Sequence, residues 1–581
     1  MSGRIKKGNP ALEKLAPGSP ISRRALIRGG AILAGGTAAA AQLLPISARG
    51  LASAAAVPAM NGDPIVASDK KTIVETSAGK VRGYTRNGIY TFKGIPYGAA
   101  TAGHARFLPP TKPAPWAGLR SSLQYENVAP QGPRAGWAND EEAWMFSWDD
   151  GIQGEDCLRV NIWTPSINDN KKRPVMVWLH GGGFVAGSGQ ELPSYDGENL
   201  CKRGDVVVVS LNHRLGVLGY LDLSTYGDAY ASSANVGMLD IVLALEWVRD
   251  NIGNFGGNSA NVTIFGQSGG GGKVNALMAM PSAQGLFHRA IVQSGSMLRV
   301  GTHEKSSKLA AAVLAELGLS DSQVSQLHTL PFERLVSAGV AVTQRNTRPG
   351  PPDFRRLADQ LGWAPVVDGK ILPQHPFDPA APEISSNVPL MVGTVLNEFL
   401  TAINHPEYES MSEETVAKRV SDLYGDKSAH VIEVFRQAHP GAKPFDILSL
   451  ISAAPVRQSA VTQAERKAAL GAAPAYLYWF TWQTPVLDGR PRAFHCSELA
   501  FCFDNTDRCE NMTGGGPAAR ALAAKVSDAW LAFARSGNPN HRGLPEWPTF
   551  TAEKCPTMRF DTVCAVENNP DGIERKVITE A

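Results

Sequence analysis

A strand, a glycine-rich turn and a helix follow one another without a break between residues 262 and 280. The apolar run 262–265 leads into Gly-Gln-Ser-Gly-Gly at 266–270, and residues 273–280 have the composition of a helix. A G-x-S-x-G pentapeptide in this setting is typical of a serine held on a turn so sharp that its own backbone is strained. The pattern predicts a nucleophile, Ser268, at the end of a buried strand. Taken alone, the pentapeptide is equally consistent with an ordinary glycine-rich turn.

A second glycine-rich segment lies upstream and also follows a strand. The apolar run 175–179 ends in His-Gly-Gly-Gly-Phe at 180–184. Three consecutive glycines allow backbone N–H groups to turn towards a common point, as the stabilisation of a tetrahedral oxyanion requires. Because the serine motif follows this loop in the order expected for one fold, catalysis is favoured over a simple glycine hinge.

Residues 269–273, Gly-Gly-Gly-Gly-Lys, resemble a phosphate-binding loop, but the match fails. The motif G-x-x-x-x-G-K-[ST] needs glycine where this chain has Gln267, and serine or threonine where it has Val274. A nucleotide site is therefore excluded at this turn.

Apolar runs that read as strands alternate with helical segments along most of the chain. The runs are apolar at successive positions, which indicates strands covered on both faces in a sheet with parallel neighbours. We predict strands at 175–179, 206–209, 262–265, 290–292, 390–392 and 476–480, and helices around 238–252 and 518–535. With 581 residues and no internal repeat, the economical interpretation is one large α/β domain in which residues 349–354 form a loop.

The first 56 residues predict an export signal of the twin-arginine type. Ser22-Arg23-Arg24 precedes a mainly apolar stretch at 31–44, and Ala-Ser-Ala at 52–54 supplies small residues near a cleavage site. We therefore expect a signal peptide at 1–56, a mature chain at 57–581, interaction with the twin-arginine export machinery, and a periplasmic or secreted bacterial protein. No other uninterrupted apolar run is long enough to span a membrane, so no membrane span is expected in the mature chain.

The charge distribution and the cysteines exclude several other classes. The net charge is +2, but eight of the 56 basic residues lie in the first 56 positions against one of the 54 acidic residues. The rest of the chain is slightly acidic, which argues against a nucleic-acid partner. The seven cysteines have no zinc-finger spacing, so no metal site is indicated, while disulfides among the last five remain open.

Ordered motifs from residue 73 to residue 550 make the chain similar to the type-B carboxylesterases, a group of α/β-hydrolases related to the cholinesterases. The resemblance implies an α/β-hydrolase fold with a large, central, mostly parallel sheet flanked by helices. The motifs are FKGIPYG at 92–98, RF at 106–107, EDCLRVNIW at 155–163, HGGGF at 180–184, NHRLG at 212–216, NVGMLD at 235–240, NFGGN at 254–258, QSGS at 293–296 and FARSGNPN at 533–540.

The resemblance also implies a catalytic triad in the order serine, acid, histidine. Ser268 matches the nucleophile, Glu398 in VGTVLNE at 392–398 matches the acid, and His495 in FHCSEL at 494–499 matches the base. The backbone N–H groups of Gly182, Gly183 and Gly269 would form the oxyanion hole. A small-molecule carboxylic ester would be cleaved through an acyl-enzyme intermediate, with no cofactor and no metal.

The chain departs from the family pattern at several positions. Gln267 replaces the usual glutamate, and Gly269 replaces the usual alanine, which we expect to loosen the turn. Cys157 resembles a half-cystine, but residues 128–131 hold no cysteine, so that disulfide is expected to be absent. The loop that it would have closed carries Trp137, Trp144, Phe146 and Trp148, which either line the pocket entrance or pack the loop down.

Two alternatives to ester hydrolysis remain at this stage. An amidase or a carbamate hydrolase would use the same triad, because the pocket and not the fold fixes the substrate. A non-catalytic adhesion or binding module could share the fold, although such relatives lose the triad serine and this chain retains Ser268.

Overall fold

A computed structural model of the protein describes residues 64–132, 140–346 and 362–581. The predicted signal peptide at 1–56 and the predicted loop at 349–354 lie outside the described residues. Gly62–Ala581 forms one compact unit.

A large mixed sheet organises the described residues. Its order is β16-β15-β14-β13-β10-β9-β7-β8-β6-β4-β3, with β1, β2 and β5 in a small separate sheet and β11 paired with β12. The strands are β1 (Ile73–Thr76), β2 (Gly79–Arg82), β3 (Tyr84–Arg86), β4 (Ile89–Pro96), β5 (Leu119–Ser121), β6 (Arg159–Thr164), β7 (Arg173–Leu179), β8 (Val207–Leu211), β9 (Gly257–Gln267), β10 (Arg289–Gln293), β11 (Gly301–Thr302), β12 (Val366–Val367), β13 (Leu390–Val395), β14 (Ala475–Phe480), β15 (Pro556–Phe560) and β16 (Ala565–Asn568).

The middle of this sheet is parallel, from β8 through β7, β9, β10, β13 and β14 to β15. The outer pairs β15–β16, β8–β6, β6–β4 and β4–β3 are antiparallel. The predicted α/β fold with a mostly parallel sheet is therefore confirmed, as are all six predicted strands.

Both faces of the parallel strands are buried, as their uninterrupted apolar runs predict. In β7, Val175 and Val177 belong to one apolar core, while Met176 and Trp178 belong to the core on the other face. The same alternation places Val292 and Ile291 of β10 in different cores. Since successive side chains of a strand point to opposite faces, a run without polar interruptions needs helices on both sides.

Helices cover these two faces, and the two predicted helices are confirmed within one or two residues as α4 and α13. The helices are α1 (Asp140–Phe146), α2 (Glu198–Gly204), α3 (Gly216–Tyr220), α4 (Val236–Asn251), α5 (Gly269–Ala279), α6 (His303–Glu316), α7 (Phe332–Asn346), α8 (Glu413–Tyr424), α9 (Ser428–Ala438), α10 (Pro444–Ala469), α11 (Leu499–Cys502), α12 (Glu510–Thr513), α13 (Pro517–Ser536) and α14 (Gly572–Glu580).

One helical stretch, Asp228–Phe255, is long and apolar enough to cross a membrane by length and composition. It contains α4, and 78% of its most apolar window is buried inside the protein. Its apolar character is accounted for by packing, because Met238, Ile241 and Leu245 belong to the core on one face of the sheet.

Candidate active site

Ser268 lies on the turn between β9 and α5, as predicted. Its backbone has φ 56° and ψ −124°, a conformation that side chains other than glycine rarely adopt. The turn is fixed from both sides, because Ser268 N–H donates to Gln293 O at 2.8 Å and Gly272 N–H donates to Ser268 O at 3.1 Å. The strain is thus held by the end of β10 and the first turn of α5.

The glycines of the motif allow β7, β9 and α5 to approach more closely than side chains would permit. A Cβ atom on Gly266 would lie 2.5 Å from the carbonyl carbon of Gly270, and one on Gly270 would lie 2.0 Å from Leu179 O. A Cβ atom on Gly269 would lie 2.5 Å from Gly183 N. The sequence predicts that Gly269 loosens the turn, but in the structure it lets the turn pack directly against the glycine loop after β7.

His495 and Glu398 meet at the same edge of the sheet. Glu398 follows β13, and its backbone O accepts a bond from His495 N–H at 2.8 Å. The two side chains are joined by a contact of 2.5 Å between His495 Nδ1 and Glu398 Oε2. Because a carboxylate accepts this bond, the proton lies on Nδ1 and the lone pair on Nε2, as a general base requires.

The carboxylate of Glu398 is itself held in place by the ends of two strands. Its other oxygen, Oε1, accepts bonds from Ser294 Oγ at 2.8 Å and from Val395 N–H at 3.1 Å. Glu398 is 1% exposed. A buried carboxylate that accepts three hydrogen bonds keeps one orientation, and it therefore also fixes the imidazole plane.

Two further side chains contact the His495 ring. The amide of Gln267 donates to Nε2 at 3.0 Å, and the Phe399 ring stacks on the imidazole with a centroid separation of 3.8 Å. Among the described residues, Ser268 Oγ makes no hydrogen bond to this ring. In this structure the lone pair of the base is occupied by the neighbouring glutamine.

The loop after β7 presents free N–H groups beside Ser268. Gly182 and Gly183 have φ of 77° and 63°, which glycine adopts without strain. The N–H groups of Gly182, Gly183 and Gly269 donate to no acceptor within the described part of the chain. All three residues line the same cavity as Ser268 and His495, so these donors are available to a ligand.

The cavity has a volume of about 670 Å³. Beyond the polar groups around Ser268, it is lined mainly by apolar side chains, including Leu215, Val217, Met297, Val340 and Trp363. Such a composition suits a ligand that is apolar except at one polar bond.

A second carboxyl group, Glu498, is buried close enough for the charge of Glu398 to act on it. Burial and that charge raise the pKa of Glu498 to about 8. Its Oε1 accepts a bond from Gln293 Nε2 at 3.3 Å. At neutral pH Glu498 is therefore mainly protonated, and it adds little negative charge beside Glu398.

The sequence left open whether the aromatic residues of the loop at 137–148 line the pocket or pack the loop down, and the structure shows both. Trp148 lines the cavity. Phe146 is buried and contacts the Phe494 ring at 5.7 Å, next to His495, whereas Trp144 is 49% exposed. Trp137 lies outside the described residues.

All seven cysteines are free thiols, and each is buried. Cys157 and the five cysteines of the last 90 residues thus pack as small apolar side chains. In the segments that the structure describes, no group of three or more histidine, cysteine or acidic side chains is arranged to hold a metal ion.

Every predicted site residue lies at one edge of the sheet: Ser268, Glu398 and His495, with Gly182, Gly183 and Gly269. Sequence reasoning missed the roles of Ser294, Gln267 and Phe399. Ser294 follows β10 just as Glu398 follows β13, so its position after a strand was the available signal. Gln267 and Phe399 are direct neighbours of predicted residues, but nothing in the sequence says that they turn towards the histidine.

Comparison with known proteins gives a consistent result. The sequence profile of the carboxylesterase family matches residues 70–574. The chain is 35% identical to the para-nitrobenzyl esterase of Bacillus subtilis (strain 168), over 87% of this chain and 98% of that protein. It is 33% identical to the phenmedipham hydrolase of Pseudarthrobacter oxydans, over 83% and 94% of the two chains.

Solved structures agree with these sequence matches. A Geobacillus stearothermophilus carboxylesterase superposes with a TM-score of 0.73 at 35% identity, covering 87% of this chain and all of that one. An esterase from Clostridium hathewayi, described as able to hydrolyse aliphatic aromatic polyesters, gives a TM-score of 0.74 at 37% identity, covering 89% of this chain and all of that one.

Proposed function

Because the chain belongs to the carboxylesterase family and is a carboxylic-ester hydrolase, we propose that Ser268 is its nucleophile, His495 its general base and Glu398 the acid that orients His495. The contact of 2.5 Å between His495 Nδ1 and Glu398 Oε2 carries this assignment, because it places the proton on Nδ1 and the lone pair on Nε2 of a histidine that lines the same cavity as Ser268. A non-catalytic binding module does not require a serine beside a histidine that a buried carboxylate orients.

The proton movements follow from these positions. Ser268 Oγ attacks the ester carbonyl carbon while His495 Nε2 takes its proton, and the charged carboxylate of Glu398 stabilises the imidazolium that forms. For this step Nε2 must exchange its bond with the Gln267 amide for one with Ser268. His495 then returns the proton to the leaving alcohol, and water repeats the sequence to release the acid.

The N–H groups of Gly182, Gly183 and Gly269 are proposed to bind the oxyanion that develops on the carbonyl oxygen. Their support is that all three are unpaired among the described residues and border the cavity beside Ser268. Each such donor typically contributes a factor of about 10²–10³ to kcat.

For the substrate we propose esters whose acyl or alcohol part is a sizeable apolar group. The support is the apolar lining of the 670 Å³ cavity and the similarity to a para-nitrobenzyl esterase. A panel of aryl and benzyl esters of increasing acyl length, with a matched amide and carbamate, tests this by kcat/KM. A higher kcat/KM for the amide or the carbamate than for every ester would favour the alternative hydrolase instead.

The nucleophile is tested by Ser268→Ala, with Ser410→Ala on the exposed surface as the matched control. We expect Ser268→Ala to lose about 10⁶-fold in kcat for a para-nitrobenzyl ester, while Ser410→Ala keeps the wild-type rate. A fluorophosphonate should label Ser268 in the wild type, as read by peptide mass spectrometry. Full hydrolysis by purified Ser268→Ala would show that another residue attacks the ester.

We also propose that residues 1–56 direct export through the twin-arginine machinery, on the order of Arg23-Arg24, an apolar stretch and small residues. Replacement of both arginines by lysine should retain the enzyme inside the cell, as judged by fractionation. Unchanged export of that variant would contradict this route.

A further inference from the structure

The glycine-rich segment 269–273 ends in a lysine that the catalytic scheme has not used. Lys273 lies in α5, five residues after Ser268, and its side chain is completely buried. Its Nζ donates to His180 O at 2.8 Å and approaches Gly181 O at 3.5 Å. These two carbonyls form the start of the loop that carries Gly182 and Gly183.

We infer that Lys273 is a positioning residue for the oxyanion hole, whose ammonium group fixes the loop and strengthens its N–H donors. This inference rests on the proposed function of Ser268 and of the glycine loop.

The effect follows from which peptide groups the ammonium contacts. The carbonyl of Gly181 belongs to the same peptide unit as Gly182 N–H. It accepts a bond from His180 Nδ1–H at 3.0 Å, and the Lys273 ammonium lies 3.5 Å from it. Drawing electron density towards a carbonyl oxygen makes the N–H of the same peptide a stronger donor. Bonds linked in this way strengthen each other by about 10–30%. The charge of Lys273 therefore acts on the Gly182 peptide across 3.5 Å, while its 2.8 Å bond to His180 O holds the start of the loop.

The glycines of α5 explain how this lysine comes so close to the loop. A Cβ atom on Gly270 would lie 2.0 Å from Leu179 O and 2.9 Å from His180 O. The first turn of α5 is thus pressed against the end of β7. The segment 269–273, which resembles a phosphate-binding loop, thus stabilises the oxyanion formed in the reaction. It does so indirectly, through the carbonyl groups of the loop whose N–H groups bind that oxyanion.

The surroundings of Lys273 make its charge sensitive to pH. His180 after β7 and His213 after β8 are fully buried, and burial lowers the pKa of both well below the usual value, so both are neutral. Glu191, which lines the cavity, is the carboxylate whose charge favours the ammonium, while the Phe184 ring lies 5.7 Å from Nζ. Burial is the larger effect and lowers the pKa of Lys273 to about 7.

The test compares Lys273→Met with Lys467→Met. Lys467 in α10 is also completely buried and donates to two backbone carbonyls, those of Ser385 and Ser386, at 2.9 and 2.7 Å. Both substitutions remove a buried ammonium group that donates to the backbone of a loop. The loop at 180–183 borders the cavity, whereas the loop at 385–386 does not. The readouts are kcat, KM and the Ki of an aryl trifluoromethyl ketone, which forms a tetrahedral oxyanion on the serine.

We expect Lys273→Met to lower kcat and weaken ketone binding by about tenfold each, less than the loss of a whole donor, with KM changed less than threefold. Lys467→Met should leave all three unchanged. Wild-type ketone binding should weaken as the pH rises through about 7, and this step should be missing in Lys273→Met. Wild-type kcat and Ki in a folded Lys273→Met, or the same pH step in both enzymes, would overturn the inference.

Two further measurements keep the inference testable. If Lys273→Met does not fold, Lys273→Gln, which can still donate to His180 O without a charge, should show the same loss of ketone affinity. If neither folds, the pH profile is measured in Glu498→Gln, which lacks the other buried group that titrates near pH 8. A fall in ketone affinity through about pH 7 in that variant supports a role for the charge, and a profile flat from pH 6.5 to 9 contradicts it. Failure of the proposed nucleophile is distinguishable, since the ketone would then bind Ser268→Ala as tightly as the wild type.

Discussion

The two halves of the site lie at one edge of the sheet but are built from different parts of the chain. The glycine half comprises residues 180–183 and 266–270, within five residues of the ends of β7 and β9, and its working groups are backbone N–H donors and one hydroxyl. The ion-pair half, named for the imidazolium and carboxylate that face each other once His495 takes the serine proton, comprises Glu398 and His495, and its working groups are side chains. His495 lies 15 residues beyond the end of β14.

This difference shows how each half keeps its geometry. The glycine half is fixed by close backbone contacts, such as that between Gly269 and Gly183, and a single added methyl group would disturb it. The ion-pair half is fixed by hydrogen bonds to Glu398 from Ser294 and Val395. Replacing one carboxylate oxygen of Glu398 by the NH₂ group of a glutamine would disturb it without moving the backbone.

After removal of the nucleophile itself, the largest expected effect tests the ion-pair half. In Glu398→Gln the shape is kept, but the amide cannot stabilise the imidazolium and can hold the wrong tautomer of His495 through its NH₂ group. We expect kcat to fall by about 10⁴-fold with KM nearly unchanged. Steady-state kinetics with an activated ester measures this, and circular dichroism checks that the fold is kept. A loss below tenfold would mean that Glu398 is not the orienting acid.

The next effect tests the glycine half. Gly270→Ala would place a methyl group 2.0 Å from Leu179 O, so β7 and its loop must move away from Ser268. We expect kcat to fall by about 10²-fold, as when one oxyanion donor is lost.

Gly272→Ala is the matched control for that substitution. It lies in the same glycine run, but the nearest atom to its new methyl group would be Met297 Cε at 3.3 Å, the end of a flexible side chain. It should keep kcat and gain slight stability from the better helix propensity of alanine. Equal losses in the two variants would show that the helix start, rather than its contact with β7, is what matters.

The same division explains what the sequence could predict. The strands, and the turn at 266–270, are signalled by short local patterns, because uninterrupted apolar runs and close backbone approach require particular residues at adjacent positions. Ser268 and the glycine loop could therefore be predicted from chemistry alone. Glu398 and His495 could be selected from 54 acids and 12 histidines only by resemblance to a family.

Contacts between distant segments were beyond the reach of any local pattern. The bond between Lys273 and His180 O joins residues 93 positions apart, and that between Ser294 and Glu398 spans 104. The sequence shows the residue types but not their approach, which is set by the register of β9 on β7 and of β13 on β10. The glycine run at 269–272 resembles a phosphate-binding loop in sequence, but its role is set by the residues that pack against it, which the sequence does not show.

The smallest expected effect on activity extends the ion-pair half to Glu498. Its pKa is raised from 4.5 to about 8, so between these values the folded protein binds a proton that the unfolded chain releases. Stability attributable to this group therefore falls as the pH rises from about 4.5 to 8. In Glu498→Gln the side chain is neutral at every pH, and this loss should disappear.

Chemical unfolding of the wild type, Glu498→Gln and the exposed control Glu553→Gln at pH 5 and pH 8 measures the difference. We expect Glu498→Gln to gain on the order of a few kcal/mol relative to the wild type on going from pH 5 to pH 8, while kcat at pH 7 changes less than threefold. Glu553→Gln should show no such gain. A large loss of kcat in Glu498→Gln would instead mean that this carboxyl group takes part in the ion-pair half, and that the negative charge beside His495 is shared between two residues.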